Sequence, residues 1–246
     1  MRDSPDSAPL DAVDWSHYDF IDLGSFSGGS LRACTKMFAA MRGIGVDISA
    51  KNVQRSREAG FDAMQADAQS LDLTDVVRFV SALDFLEHLP DLATVEKVLA
   101  SAARAATDFL YIKHPSFEGE HYLTSLGVTQ YWHNWRGHTS HIRVCDYCEM
   151  FERLGLSSYT IQFGERITTT DHYSIIPAGL PIDQGRYDPT LHGPRPDITF
   201  DEPIWRVQHI FVQLRPFSNE EWRAIVEKSP LPNRSARASA SCTTTA

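Results

Sequence analysis

The sequence predicts an α/β fold built on a parallel sheet. Three observations lead there. Short β-type runs alternate with helix-type runs over the first half of the chain. A glycine-containing turn joins the first of these runs directly to a helix. Acidic residues stand at or just after the ends of successive strands. Such alternation implies right-handed βαβ crossovers, and hence a sheet with helices on its faces.

The elements follow in order. Residues 18–23 (YDFIDL) are a first strand. In 30–41, Leu31, Cys34, Met37, Phe38 and Met41 recur at helical spacing, which makes an amphipathic helix. Residues 43–47 are a second strand, and Ser49 can N-cap the helix that runs to about Glu58. Residues 61–65 are a third strand. The nearly continuous apolar run at 76–83 suits a strand buried on both faces. A strong amphipathic helix follows at 92–106, then a fifth strand at 108–113. Beyond it the regularity breaks. Residues 146–154 read as a helix stopped by Gly155, and 158–163 and 205–214 as two more strands. About 40 residues rich in Pro and Gly lie between those strands, and a loop of that length is usually functional or a misread element. Ser218 and Glu221 form a capping-box pattern for a last helix.

The 246 residues suit one domain. We expect a loose lead-in at 1–16, a single domain at 17–228 and a low-complexity, disordered tail at 229–246. A chain this long can bury roughly 70–75% of its unfolded surface, so it needs no disulfide or metal staples. Net charge is −9, which speaks against a broad nucleic-acid surface. No apolar run approaches the ~20 residues of a membrane span, and the acidic N-terminus lacks a secretory signal's apolar stretch. Four cysteines, Cys34, Cys145, Cys148 and Cys242, are too few for a disulfide framework and suit a reducing cytoplasm. The lone CxxC at 145–148 is weak as a zinc signal, and Cys148 suits a helix core.

In open parallel sheets, ligands bind at the carboxyl ends of the strands. The first strand ends in Asp22-Leu-Gly-Ser-Phe-Ser-Gly-Gly29, the second in Asp47, the third is followed by Ala66-Asp-Ala68, and the fourth runs into Leu83-Asp-Phe-Leu-Glu-His-Leu-Pro90. A dinucleotide fold would carry Gly-x-Gly-x-x-Gly, whereas the run from Gly24 lacks the second glycine.

The whole pattern resembles the class I S-adenosylmethionine-dependent methyltransferases, and within them a small-molecule, methyltransferase type 11-like group with a Glu-His-Leu-Pro-type turn. The likeness covers residues 18–113 well and continues weakly through 138–156. Asp22, Gly24 and Gly28 match the family's first motif, Asp-x-Gly-x-Gly-x-Gly. Phe26 stands where the middle Gly belongs, and Gly28-Gly29 is the pair that compensates in some branches. The resemblance implies a Rossmann-like, seven-stranded sandwich, mostly parallel, with one antiparallel strand near the C-terminus, for which 205–214 is the candidate. It divides the domain into a cofactor half at 17–113 and a substrate half at 114–228.

The resemblance also implies roles. Gly24 would let backbone approach the methionine part of S-adenosyl-L-methionine, within a loop that includes Ser25 and Gly28 and is oriented by Asp22. Asp47, with Ile48 beside it, would take the ribose hydroxyls. Asp67 and Ala68 would meet the adenine, and the Leu83 carbonyl the amino group. The reaction would be methyl transfer to a small or medium acceptor at an O, N, C or S atom. Two other classes stay open: a non-catalytic, methyltransferase-fold binding or regulatory protein, which Phe26 keeps in play, and a protein or RNA methyltransferase, which the net charge and the turn at Asp84-Phe-Leu-Glu87 disfavour. No oligomeric state is implied.

Half of the ten histidines fall within 114–141, interleaved with Tyr122, Tyr131, Trp132 and Trp135. Either they form a substrate lid with a histidine base, for which His114, His138 and His141 are candidates, or they are histidines satisfied by backbone in a partly buried insertion. Glu87 and His88 are expected to shape the turn after the fourth strand. Three-residue spacing of His138 and His141 on an irregular segment makes a poor metal signal, and no metal is expected.

Overall fold

A computed structural model describes residues 10–228 and 239–240. Five strands and three helices alternate first: β1 (Phe20–Leu23), α1 (Gly29–Phe38), β2 (Gly43–Asp47), α2 (Ala50–Glu58), β3 (Asp62–Gln65), β4 (Val77–Leu83), α3 (Leu92–Ala105) and β5 (Ala106–Pro115). Then come α4 (Glu120–Ser125), β6 (Val128–Gln130), α5 (Val144–Arg153), β7 (Tyr159–Thr169), β8 (Ile175–Pro177), α6 (Pro189–His192), β9 (Thr199–Gln213), α7 (Asn219–Val226) and β10 (Ser239–Ala240).

The main sheet has the order β3-β2-β1-β4-β5-β9-β7-β10. β1 pairs in parallel with both β2 and β4, so strand order reverses beside β1 and opens a crevice there. β9 runs antiparallel between β5 and β7, the place expected for 205–214. β10 adds a two-residue edge to this seven-stranded sheet, paired with Ile161 and Gln162. It falls inside the segment expected to be disordered, whose other residues lie outside those described.

Alternation along the strands gives the sheet two apolar faces. Ile21, Val80, Leu110 and Ile210 pack with Val95, Val98 and Leu99 of α3 and with Tyr147, Met150 and Phe151 of α5. On the opposite face, Phe20 of β1 stacks on Phe79 of β4 at 4.7 Å, and Phe79 on Phe109 of β5 at 4.8 Å. These rings face one another because the residues are register partners on adjacent strands. Phe38 of α1 sets its edge against Phe79 and Phe109. A third apolar cluster, with Phe117, Leu123, Trp132, Ile175 and Ile204, lies under the second half of the chain.

Three expectations are corrected. From residue 10 on, the lead-in is docked, because Leu10, Val13 and Trp15 pack against the main core and Trp15 Nε1 donates to the Leu10 carbonyl at 3.1 Å. The first helix ends at Phe38 and leaves Met41 exposed, because Asp19 captures the Met41 and Arg42 amides and turns the chain into β2. The 164–204 segment is not structureless. β7 and β9 run on past the core and bury Ile167, Phe200 and Ile204 in the third cluster, and β8 and α6 lie between them. These residues are scattered among polar ones, so no apolar run betrays them. β6 and α4 were likewise unforeseen.

Asp22 sits in β1 opposite Ser81 of β4 and is fully buried. Ser81 Oγ donates to one carboxylate oxygen at 2.7 Å and Ser30 of α1 donates to the other. One side chain thereby joins both central strands to the first helix. Burial outweighs the two hydroxyls and pushes this carboxyl from 3.8 up to about 7.

Two stability outcomes follow. Phe79→Ala should cost about 3–5 kcal/mol, read as a lower urea midpoint at unchanged m-value. Between about pH 4 and 7 the folded Asp22 keeps a proton that the unfolded carboxyl has lost, so stability falls as pH rises through that window. Asp22→Asn should therefore gain on the wild type steadily from pH 4 to 7 in urea unfolding. A pH-independent difference would contradict the raised value.

Candidate active site

The turn after β1 is pinned to the end of β2. The Gly24 amide donates to the Val46 carbonyl at 2.8 Å, and the Phe26 amide to Asp47 Oδ2 at 3.2 Å. Gly24 has φ +69, and a Cβ there would meet the Phe85 ring at 2.3 Å, so only glycine fits. Gly28 enters α1 at φ +82, where a Cβ would meet Phe61 at 2.2 Å. Phe26 itself adopts φ +47, a conformation that costs a side-chain-bearing residue about 1–2 kcal/mol. Its bond to Asp47, a Ser56 hydroxyl on its carbonyl at 3.4 Å and the Arg55 guanidinium 5.3 Å from its ring hold it there. The loop thus keeps a glycine-like backbone with a phenylalanine in place.

Above this turn lies a cavity of about 500 Å³ at the carboxyl ends of β1 to β4, a size ordinary for small-ligand sites. Gly24, Asp47, Ile48, Asp67 and Ala68 all line it, with Asp84 and His88 on the far wall. Ile48 is 68% exposed and offers an apolar lip. Both Asp47 oxygens accept from the Asn52 side-chain amide, at 3.2 and 3.1 Å, and Ser49 N donates to Oδ1 at 2.9 Å. Asp67 caps the turn at Ala68–Ser70 by accepting from the Gln69 amide at 2.9 Å.

The other four cofactor candidates lie off this wall. Asp22 is beneath the turn, as described. Ser25 is buried against Gly45, Gly28 is at the helix entry, and Leu83 ends β4 one residue short of the wall. Sequence reasoning missed Asp84, Phe85 and Asn52. Asp84 had a signal, because it directly follows the fourth strand. Its φ is +50, its amide donates to the Lys113 carbonyl at 2.6 Å, and its carboxylate pairs with the Lys113 ammonium.

Asp84 and His88 also border a second cavity of about 250 Å³, walled by Tyr131, Trp132, Trp135 and His138. Two cations there are already matched, Lys113 by Asp84 and Arg206 by Glu165. Glu87 reaches this cavity with no solvent exposure, and neither of its carboxylate oxygens has a hydrogen-bond partner among the described residues. Burial, with Asp84 nearby, pushes it up to about 8.

The three candidate histidines part company. His114 is fully buried and lines neither cavity. Its Nδ1–H donates to the Pro115 carbonyl at 2.7 Å and its Nε2 accepts from the Tyr147 hydroxyl at 2.8 Å. Burial lowers it to about 4, so it is a neutral internal link. His141 stacks on Phe117 at 4.6 Å, bonds to Glu120 at 2.8 Å and lines a separate cavity of about 700 Å³. His138 alone faces the second cavity, its Nδ1–H donating to the Trp132 carbonyl at 2.8 Å; burial lowers its pKa. In the CxxC, Cys145 is exposed and Cys148 is half-buried, accepting from the Tyr159 hydroxyl at 3.3 Å.

Residues 21–108 match the family model described as a methyltransferase domain. No curated protein matches the chain. Among solved structures, an S-adenosylmethionine-dependent methyltransferase from Thermotoga maritima, described as a possible histamine N-methyltransferase, is 14% identical with a TM-score of 0.51, covering 80% of this chain and 82% of that one. The YcgJ protein from Bacillus subtilis is 15% identical with a TM-score of 0.53, covering 82% and 93%. An S-adenosylmethionine-dependent methyltransferase from Archaeoglobus fulgidus is 16% identical with a TM-score of 0.52, covering 80% and 88%. At these identities the likenesses speak for the fold, and the family match speaks for the domain. Together with the glycine turn and the strand-end carboxylates, they show that residues 21–108 resemble a methyltransferase domain and that the chain shares the fold of S-adenosylmethionine-dependent methyltransferases.

Proposed function

We propose that this protein transfers the methyl group of S-adenosylmethionine to a small acceptor bound in the second cavity. The observation that carries this reading is the pair of cavities meeting at Asp84 and His88, one beneath strand-end carboxylates and the other walled by aromatic rings.

The first cavity fits the cofactor by its donor set. A Cβ at Gly24 would close the cradle against Phe85, so a methionine chain can lie on backbone there. Asp47 offers both oxygens to a ribose diol, and the Asn52 amide that they now hold is the exchangeable partner. Ile48 and Ala68 present apolar surface to an adenine ring, with Asp67 at its edge. When bound, the cofactor supplies an activated methyl. The protein then has to align the acceptor, exclude water and remove a proton where the nucleophile carries one. Tyr131, Trp132 and Trp135 can hold an apolar or aromatic acceptor, and with both cations paired the wall carries no free positive charge for a polyanion.

Among the described residues no helix is long and apolar enough to cross a membrane. A cytoplasmic location is the reading that we attach to Cys34, Cys145 and Cys148, none of which forms a disulfide. We also propose the division into a cofactor half at 17–113 and a substrate half at 114–228, since the second cavity draws most of its wall from after β5.

Calorimetry with S-adenosylmethionine tests the cofactor reading. Asp47→Ala should weaken binding at least tenfold, because it strands two ribose hydroxyls. No binding by the wild type at millimolar cofactor refutes the enzyme. With an acceptor found by mass-gain screening, His138→Ala should lower kcat and leave cofactor affinity intact, while His141→Ala should change neither. Equal losses in the two variants would remove the second cavity from the acceptor's path.

A further inference from the structure

We propose that Glu87, His88 and His138 bind a divalent transition-metal ion, of the zinc class, where the two cavities meet. One donor atom from each of the three lies within 4.8 Å of the others. A tetrahedral ion with ligands at about 2.0–2.2 Å wants donors about 3.3–3.6 Å apart, so the three groups close in on the ion as it binds.

Three features make this more than proximity. The Glu87 carboxyl is fully buried, and neither oxygen has a partner among the described residues. A buried carboxyl in a folded protein ordinarily finds a donor or an ion. Each imidazole is also set for ligation. His88 Nδ1–H donates to the Gly137 carbonyl at 2.7 Å and His138 Nδ1–H to the Trp132 carbonyl at 2.8 Å. That arrangement fixes the tautomer and leaves a lone pair on each Nε2, as backbone carbonyls behind metal-bound histidines do.

The two segments that supply the ligands are, moreover, sewn together. Ser140 N donates to the Glu87 carbonyl at 3.0 Å, and the Thr139 and Ser140 hydroxyls both donate to the Leu89 carbonyl, at 2.6 and 2.8 Å. The ligand set is thus held across 50 residues of sequence without the ion. Lys113 and Arg206, the cations nearby, are paired with Asp84 and Glu165, so neither charge is left uncompensated to repel a divalent ion.

Two nitrogens and one carboxylate suit zinc, and three protein ligands leave a position open, as in catalytic rather than structural sites. All three ligands line the aromatic cavity, so an acceptor held there would lie beside the ion. Its proposed use rests on the methyl-transfer reading: an acceptor hydroxyl or thiol bound to the ion would release its proton to solvent and present a lone pair to the incoming methyl. The site itself does not depend on that reading.

The test is zinc titration of the untagged full chain after chelator treatment, by calorimetry, with cobalt absorption as the probe of geometry. We expect one equivalent of zinc and intense visible cobalt bands of a four-coordinate site. Binding should weaken at least tenfold in Glu87→Gln and in His138→Ala. His88→Ala alters an exposed residue, so it should keep the fold and still lose affinity. No zinc binding, or zinc affinity unchanged in all three variants, overturns the site. S-adenosylmethionine titrated into the zinc-free protein is a separate readout. If zinc binds and the cofactor does not, the enzyme reading fails while the metal site stands, and the converse result separates them the other way.

Discussion

The site rests on a carboxylate that never touches it. Asp22 is buried at the point where strand order reverses, with one oxygen bound to Ser81 of β4 and the other to Ser30 of α1. Removing a carboxyl from water is costly, and only well-placed donors offset it. The two hydroxyls offset part of that cost, which is why burial still raises the group to about 7. A residue in that position cannot tolerate much movement of its partners. It therefore holds β1, β4 and α1 at one spacing, and the crevice above them opens at a set width.

What stands on this foundation is a chain of close contacts. Gly24 lies under the Phe85 ring, so the turn after β1 and the turn after β4 are shaped together. Phe26 reaches Asp47 through its amide, so the same turn is tied to the end of β2. Phe26 shows how a motif can lose a glycine and keep its geometry. The left-handed backbone survives because three neighbours hold it, while the residue stays half exposed where it lines the first cavity. The departure from the motif is thus compensated locally, and the turn keeps the shape that a glycine would have given it.

The cofactor half was largely legible. Its strands are short apolar runs buried on both faces, and its turns carry Gly24, Gly28, Asp47 and Asp67 at positions where a parallel sheet puts them. Of those four, Gly24, Asp47 and Asp67 reach the cavity wall. Gly28 serves helix entry, and Ser25 and Leu83 lie behind the wall. Strand order alone does not say which side of a turn faces a ligand. The substrate half was far less legible. Its third apolar cluster gathers residues as distant as Phe117 and Ile204, and its long strands carry polar residues wherever they leave the main core. Local periodicity is weak in such segments.

The histidines mark the limit most clearly. By sequence, His114, His138 and His141 were all candidates, in an aromatic-rich stretch at and beyond the end of the fifth strand. In the fold, one is a neutral internal link to Tyr147, one pairs with Glu120 in another cavity, and one meets Glu87 and His88 at the junction. By itself the sequence determined the alternation of elements, the glycine turn and the strand-end carboxylates, because these depend on local sterics and on the two-sided burial of a parallel sheet. Only the tertiary structure decided which histidine faces which cavity and that Glu87 has no hydrogen-bond partner for its carboxyl among the described residues. Those outcomes hang on contacts between residues tens of positions apart, whose pairing no local pattern encodes.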